Sequence, residues 1–200
     1  MQQKRQTKAE KHAATRAALL GIARTLFAST GYAETGTEDV VKQAGVTRGA
    51  LYYHFADKRA LFEAVVEQEA ALILAAIEEA AGKAKSPLDA LIRGSAAFLD
   101  ACLEPGTRRI FLLDAPSVIG WQRWREIDAQ YGSGSLRRGV EAALEDLPAA
   151  RRLSAEALTY LLTGAMNEAA LWLAEAKNPV QARMAADAAL NRILELLFKP

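Results

Sequence analysis

Between Gly45 and Phe55 the chain reads GVTRGALYYHF, and its residue types are suited to contact with a polyanion. Arg48 carries a planar guanidinium that can fork onto a guanine edge. Tyr52, Tyr53, His54 and, just beyond, Lys58 can donate to phosphate oxygens. Gly49 and Ala50 leave a helix slim enough to sink into a groove ~12 Å wide, where a bulkier pair would hold the backbone away. Thr47 has the side chain of a helix N-cap and stands at the end of such a helix that usually reaches bases. Taken singly, each residue also fits an ordinary protein surface. Their joint arrangement favours nucleic acid.

A second group lies further along. Phe98, Phe111, Trp121, Trp124 and Trp172 could line an apolar cavity, and Asn167, with Glu168 beside it, could orient a guest there. Arg108, Arg109, Arg123 and Arg125 accompany these aromatics, so an acidic or planar aromatic ligand is conceivable. Other chemistry has little material. His12, His54 and the single Cys102 make neither a metal cluster nor an internal disulfide, so no metal and no cofactor is expected. No GxSxG and no phosphate loop occurs, which leaves an enzyme without its nucleophile or its anion cradle.

The elements that must position these residues read as helices throughout. Ala and Leu dominate, and apolar residues recur at three and four, which predicts an all-α fold. Leu19, Ile22, Ala23, Leu26 and Phe27 predict a first helix from about Thr15, or earlier, to Thr30, with Gly31 as its stop. Thr35 and Glu38 have the spacing of a capping box before a short second helix carrying Val40, Val41 and Ala44. Gly45, Val46 and Thr47 then make a turn into the helix that bears the opening segment. On that helix Leu51 and Phe55 share one side and would anchor it to Leu26 and Phe27. This is the outline of a helix-turn-helix.

Asp57 caps a fourth helix through Leu61, Phe62, Val65, Val66, Leu72 and Ile73, ending at the break from Gly82 to Lys85. Ser86 and Pro87 open a fifth, running to about Leu103. Pro105, Gly106, Pro116, Gly120, Gly132 and Gly134 cut residues 104–135 into short pieces. From Ser154 a helix carries Leu158, Leu161, Leu162, Met166, Ala169 and Leu173. Asn178 and Pro179 start the last one, with Met184, Ala188, Ile193, Leu194 and Leu197 on its stripe. Residues 1–13 are polar and basic and are expected to be loose.

Charge is unevenly spread. The whole chain holds 25 Lys and Arg against 24 Asp and Glu, yet in the first sixty residues the basic side chains outnumber the acidic ones two to one. A basic head on a mildly acidic body suits a polyanion partner. No apolar run approaches ~18 residues, so a cytoplasmic protein with no membrane partner is expected.

The segment TRAALLGIARTLFASTGYAETGTEDVVKQAGVTRGALYYHFADKRALFEAVV, Thr15 to Val66, resembles the DNA-binding head of the tetracycline-repressor (TetR) family. "LF", "GY", the T opening helix two, "AGV" in the turn, "G-L-Y-HF" and "DK-AL" fall in that family's order and spacing. The resemblance implies a three-helix head over residues 1–57 and a larger helical ligand-binding and dimerisation body over 58–200. It implies a homodimer on a palindromic double-stranded operator, released by a small-molecule effector. The residues it brings to DNA are those matching Thr37, Thr47, Arg48, Gly49, Ala50, Tyr52, Tyr53, His54 and Lys58. Gly36 departs from the serine or threonine more usual at its position. The last two helices would pair across the two-fold into a four-helix bundle. The competing reading is a DNA binder of the same fold that is governed by a protein partner, or that acts architecturally, without an inducer.

Overall fold

The computed structural model describes residues 7–199, and every regular element among them is helical. Helix α1 (Lys8–Glu34) opens on a reciprocal capping box: the Glu10 amide donates to Thr7 Oγ1 at 3.2 Å and the Thr7 amide to Glu10 Oε2 at 2.7 Å. The expectation of a loose start is therefore corrected for residues 7–13, because this cap satisfies the first orphan amides. Residues 1–6, which shared that expectation, lie outside the described residues. The regular part of α1 breaks at Gly31, whose φ of 86° is one that side chains avoid.

The expected capping box at Thr35 does not form. Gly36 takes the N-cap position of α2 (Thr37–Ala44), and no side chain bonds its first amides. Thr35 is instead buried, donating to the Gly31 carbonyl at 2.7 Å, with Thr30 Oγ1 3.0 Å from its hydroxyl. The break in α1 leaves that carbonyl without its helical partner, and the nearest hydroxyl is drawn inward to meet it. Gly45 ends α2 in the left-handed region, φ 66°, and Thr47 accepts from the Ala50 amide at 3.2 Å to start α3 (Arg48–His54). Leu51 and Phe55 are buried in the same core as Phe27, with Leu26 packed against it, as expected.

Asp57 caps α4 (Lys58–Ala81), which carries Phe62 edge-on to Phe27 with ring centroids 5.0 Å apart. Beyond it come α5 (Pro87–Leu103), α6 (Pro105–Thr107), α7 (Ala115–Val118), α8 (Trp121–Asp128) and α9 (Gly134–Glu145). The broken stretch expected in 104–135 is thus a chain of short helices. Two of its pieces, Arg108–Asp114 and Ala129–Ser133, wind as π-helix, a form concentrated at functional sites. Helices α10 (Ala155–Glu175) and α11 (Pro179–Phe198) close the fold, capped by Ser154 and Asn178 as their sequences require.

One apolar core runs from Leu19 to Phe198 without interruption. On α11 the inward stripe is Ala182, Ala186, Leu190, Leu194 and Phe198, spaced by four, whereas Met184 and Ile193 remain exposed. Leu161 on α10 and Leu72 on α4 are likewise exposed. These helices carry apolar residues on more than one face, so periodicity alone does not say which face the chain buries.

Polar bonds lock α1 onto the remainder. Arg109 donates to the Ser29 carbonyl at 2.7 Å, the Tyr32 amide to Asp114 Oδ2 at 2.9 Å, and Arg24 Nε to Glu69 Oε1 at 2.8 Å. Among the described residues, no helix is long and apolar enough to cross a membrane.

Candidate nucleic-acid interface

The turn through Gly45 projects α3 from the molecule with its outward edge bare. Thr47, Arg48, Gly49, Tyr52 and Tyr53 are exposed, and Ala50 is half-buried. Arg48 lies over the Tyr52 ring, 5.5 Å from guanidinium carbon to centroid, and pairs with Glu38 of α2 at 3.6 Å. The polar side chains of Thr37 and then Arg48 hold the Tyr52 hydroxyl below the usual phenol pKa. Thr37, Arg48 and Tyr52 thus form one cluster at the junction of α2 and α3. Tyr53, 73% exposed, is the most open aromatic of the segment.

Two of the expected contact residues are already engaged within the chain. His54 is half-buried beside His12 of α1, with ring centroids 4.2 Å apart, and its Nδ1 is buried without a partner. Burial, followed by the nearby His12 and Arg16, lowers its pKa. The Lys58 ammonium donates to the Ala33 carbonyl at 3.2 Å and lies 4.3 Å from the Tyr32 ring centroid, where it neutralises the carboxyl end of α1.

The body residues divide between two adjoining spaces. Phe98 and Asn167 border a cavity of about 70 Å³ among α4, α5, α9 and α10. Trp121, Trp124 and, again, Asn167 border a wide cleft of about 1210 Å³ beside α8 and α10. Phe111 is buried behind the cleft against Trp124, centroids 5.8 Å apart, whereas Trp172 borders neither space and is half exposed. The arginines are largely spent elsewhere. Arg123 pairs with Glu63 at 2.7 Å and Glu67 at 2.8 Å, and Arg109 with Ser29. Arg125 borders the cleft, stacked over Tyr160 at 5.1 Å. Among the described residues no group of three or more potential metal ligands is gathered.

Sequence reasoning missed Asp128, Ser133 and Thr163, which border both spaces along with Asn167. Ser133 donates to Asp128 at 2.5 Å across five residues, a spacing that ordinary helical periodicity does not bring together and that the π-helical stretch does. Thr163 was within reach, since it stands one helical turn before Asn167.

Known proteins share this architecture. Residues 88–197 match the family described as "Tetracyclin repressor-like, C-terminal domain", and residues 19–65 the family "Bacterial regulatory proteins, tetR family". The chain belongs to the TetR family. A TetR-family transcriptional regulator from Pectobacterium atrosepticum superposes with a TM-score of 0.78 at 33% identity, covering 98% of this chain and 99% of that one. The transposon Tn10 TetC protein of Escherichia coli is 26% identical over 139 residues, 68% of this chain and 69% of its own length. The HTH-type transcriptional regulator AcrR of Shigella flexneri is 45% identical over 53 residues, 26% of this chain and 25% of its own. Similarity to AcrR thus concentrates in a stretch about the size of the head.

As a TetR-family regulator the chain is a DNA-binding transcriptional regulator and not an enzyme, and α1 to α3 are its helix-turn-helix head. Its head presents a bare, glycine-thinned edge of α3 beside Thr37, Arg48 and Tyr52.

Proposed function

We propose that this regulator is a cytoplasmic homodimeric repressor that grips a palindromic operator through α3 and lets go when a small molecule enters its body. The head spans residues 1–57 and the body 58–200, with α4 bridging the two. Arg48 reads a base edge, Gly49 and Ala50 allow the approach, and Thr37, Thr47, Tyr52 and Tyr53 set the register on phosphates. His54 flanks the groove, and Lys58 reaches a phosphate by leaving Ala33 and Tyr32.

The observation that carries this reading is Gly49. Its φ is not one that demands glycine, it is exposed, and a Cβ placed there would meet only Thr47 Oγ1, at 3.9 Å. A helical glycine costs roughly 0.5–1 kcal/mol relative to alanine. Nothing among the described residues calls for that sacrifice, whereas a duplex pressed against α3 does. Pairing of two copies is supported by Leu161, Trp172, Met184 and Ile193, which stay exposed on the two helices whose other faces fill the core. Two recognition helices on half-sites ~34–36 Å apart then account for tight, symmetric binding.

The test is selection from a random duplex library followed by titration of the enriched site. A two-fold symmetric sequence is expected, and Gly49→Leu is expected to bind it at least tenfold more weakly while melting no earlier than the parent. Unchanged affinity in that variant, or no enriched sequence, overturns the reading. Leu161→Glu combined with Met184→Glu is expected to yield monomers in analytical ultracentrifugation; a persisting dimer would place the interface elsewhere.

A further inference from the structure

The 70 Å³ cavity is bordered mostly by apolar side chains, among them Leu91, Phe98, Leu136 and Met166, with the hydroxyls of Ser95 and Ser135 set among them. Asp128, Ser133, Thr163 and Asn167 border both this cavity and the wide cleft, so the two spaces meet at these four residues, a polar doorway. Asp128 is only 7% exposed, and Ser133 Oγ donates to its Oδ2. Thr163 Oγ1 and Asn167 Oδ1 are both buried without a hydrogen-bond partner. Leaving such atoms unmet is costly, and two orphaned polar atoms among the four side chains shared by a largely apolar cavity and its neighbouring cleft mark a place where a guest meets them.

The chemistry of that guest follows from what the doorway lacks. Among the described residues no Lys, Arg or His borders the cavity, and Arg125 and Arg137 border the cleft alone, so a carboxylate or phosphate inside the cavity would face a carboxyl group and an amide oxygen with no cation lining the same space. A hydrocarbon would leave the orphaned atoms unmet. An ammonium group only donates, so it could meet Asp128 and Asn167 Oδ1 but would offer the Thr163 hydroxyl proton no acceptor. A hydroxyl both donates and accepts, so one group can serve Asn167 Oδ1 and Thr163 Oγ1 together. Size is bounded too: the volume is under half of the ~150 Å³ in which an engineered apolar core takes benzene, so a single ring is the upper limit and fits only by borrowing room from the adjoining cleft.

We propose that this cavity takes a small neutral hydroxyl compound, a compact alcohol or a phenol, with its apolar body against Leu91, Phe98 and Met166 and its hydroxyl accepting from Thr163 and donating to Asn167 Oδ1, beside Asp128. This rests on the reading of the body as an effector-binding unit. It narrows the acidic or aromatic guest that the neighbouring arginines suggest to a neutral one.

The experiment is calorimetric titration of the full chain with phenol, toluene, benzoate and benzylamine, four compounds sharing one ring and differing in the head group. Operator binding is measured on the same preparation. Phenol is expected to bind at least tenfold more tightly than each of the other three. Asn167→Leu and Thr163→Val are each expected to weaken phenol binding about tenfold without loss of operator binding. Thr163→Val keeps the side-chain shape and so remains informative should Asn167→Leu fail to fold. No heat with phenol, benzoate or benzylamine or toluene binding as tightly, or phenol binding indifferent to Thr163→Val, overturns the inference. A chain that binds its operator but not phenol loses this inference alone. One that binds phenol through Thr163 but no duplex keeps it and loses the repressor reading.

Discussion

Arg24 of α1 and Glu69 of α4 form an ion pair, Nε to Oε1 2.8 Å, in which the carboxylate is wholly buried and the guanidinium one-third exposed. Thr107 donates to the other carboxylate oxygen at 2.6 Å, and Arg24 extends a second arm to Glu104, the residue that caps α6. Three segments are thereby held at one point, and the angle of α1 relative to the body is fixed there. The chain also tightens Arg24 in return, since the Glu69 hydrogen bond raises its pKa.

Removing either partner should not have the same effect. Arg24→Met keeps the packing but strands a buried charge, with an expected loss of about 3 kcal/mol. Glu69→Gln leaves a neutral amide that can still accept from Arg24, with an expected loss of about 1 kcal/mol. Urea midpoints at neutral pH check this. Equal losses would overturn this asymmetry between the two partners.

Arg48 cannot fork onto a base while it is paired to Glu38. Both side chains are exposed, so the pair is worth at most about 1 kcal/mol and DNA readily displaces it. Glu38→Gln is expected to strengthen operator binding by roughly 0.5 kcal/mol, since no pair has to be broken. Arg48→Ala is expected to lose about 1–3 kcal/mol at the preferred base and little elsewhere. In the Arg48→Ala background, Glu38→Gln should bring less gain than in the parent. Fluorescence anisotropy on matched and mismatched duplexes measures all three, and additive effects would show that the pair does not restrain Arg48.

His54 faces His12 and Arg16, with Tyr53 and Phe55 completing its surroundings, and its pKa is lowered by burial and then by those two bases. As pH falls, the unfolded chain takes up this proton first, near the ordinary ~6.5, while the folded chain resists. The stabilisation from neutral His54 is therefore complete above that value and lost as pH drops below it toward the folded-state pKa. Urea midpoints are expected to fall between about pH 7.5 and about pH 5.5, and His54→Gln should flatten that fall. Parallel slopes in the two proteins would assign the titration to another group.

Much of this architecture was legible because local chemistry and tertiary packing agree. Thr47, Asp57, Ser86, Ser154 and Asn178 all cap the helices that their positions announce. Thr35 misled because capping residues are also hydroxyl donors, and a carbonyl freed by the break at Gly31 competed for it. Met184 and Ile193 misled because α11 is apolar around more of its circumference than one neighbour can cover. At the interface, residue type identified the exposed edge of α3 but not the internal engagements of His54 and Lys58, which depend on where α1 ends and how it packs. The doorway to the cavity was hidden for a geometric reason: Asp128 and Ser133 meet only because the helix widens by one residue per turn between them.

That doorway carries a cost which can be measured. Burial raises the Asp128 pKa, while the Ser133 hydroxyl and, further off, Arg125 oppose the shift. A carboxyl whose folded-state pKa lies above its unfolded one adds stability below the ordinary ~3.9, and that contribution is lost as pH rises through the folded value. At neutral pH the group is therefore a burden on the fold, tolerated where it serves a guest. Asp128→Asn removes the titration, keeps the shape and still accepts from Ser133. Its urea midpoint at pH 7 is expected to exceed that of the parent by the equivalent of roughly 0.5–2 kcal/mol, the usual yield of relieving such a site, and the gap should narrow in acid. The same variant should bind phenol more weakly. A destabilised Asp128→Asn at neutral pH would mean that the carboxylate is held by the fold for its own sake, and that the opening between cavity and cleft is structural.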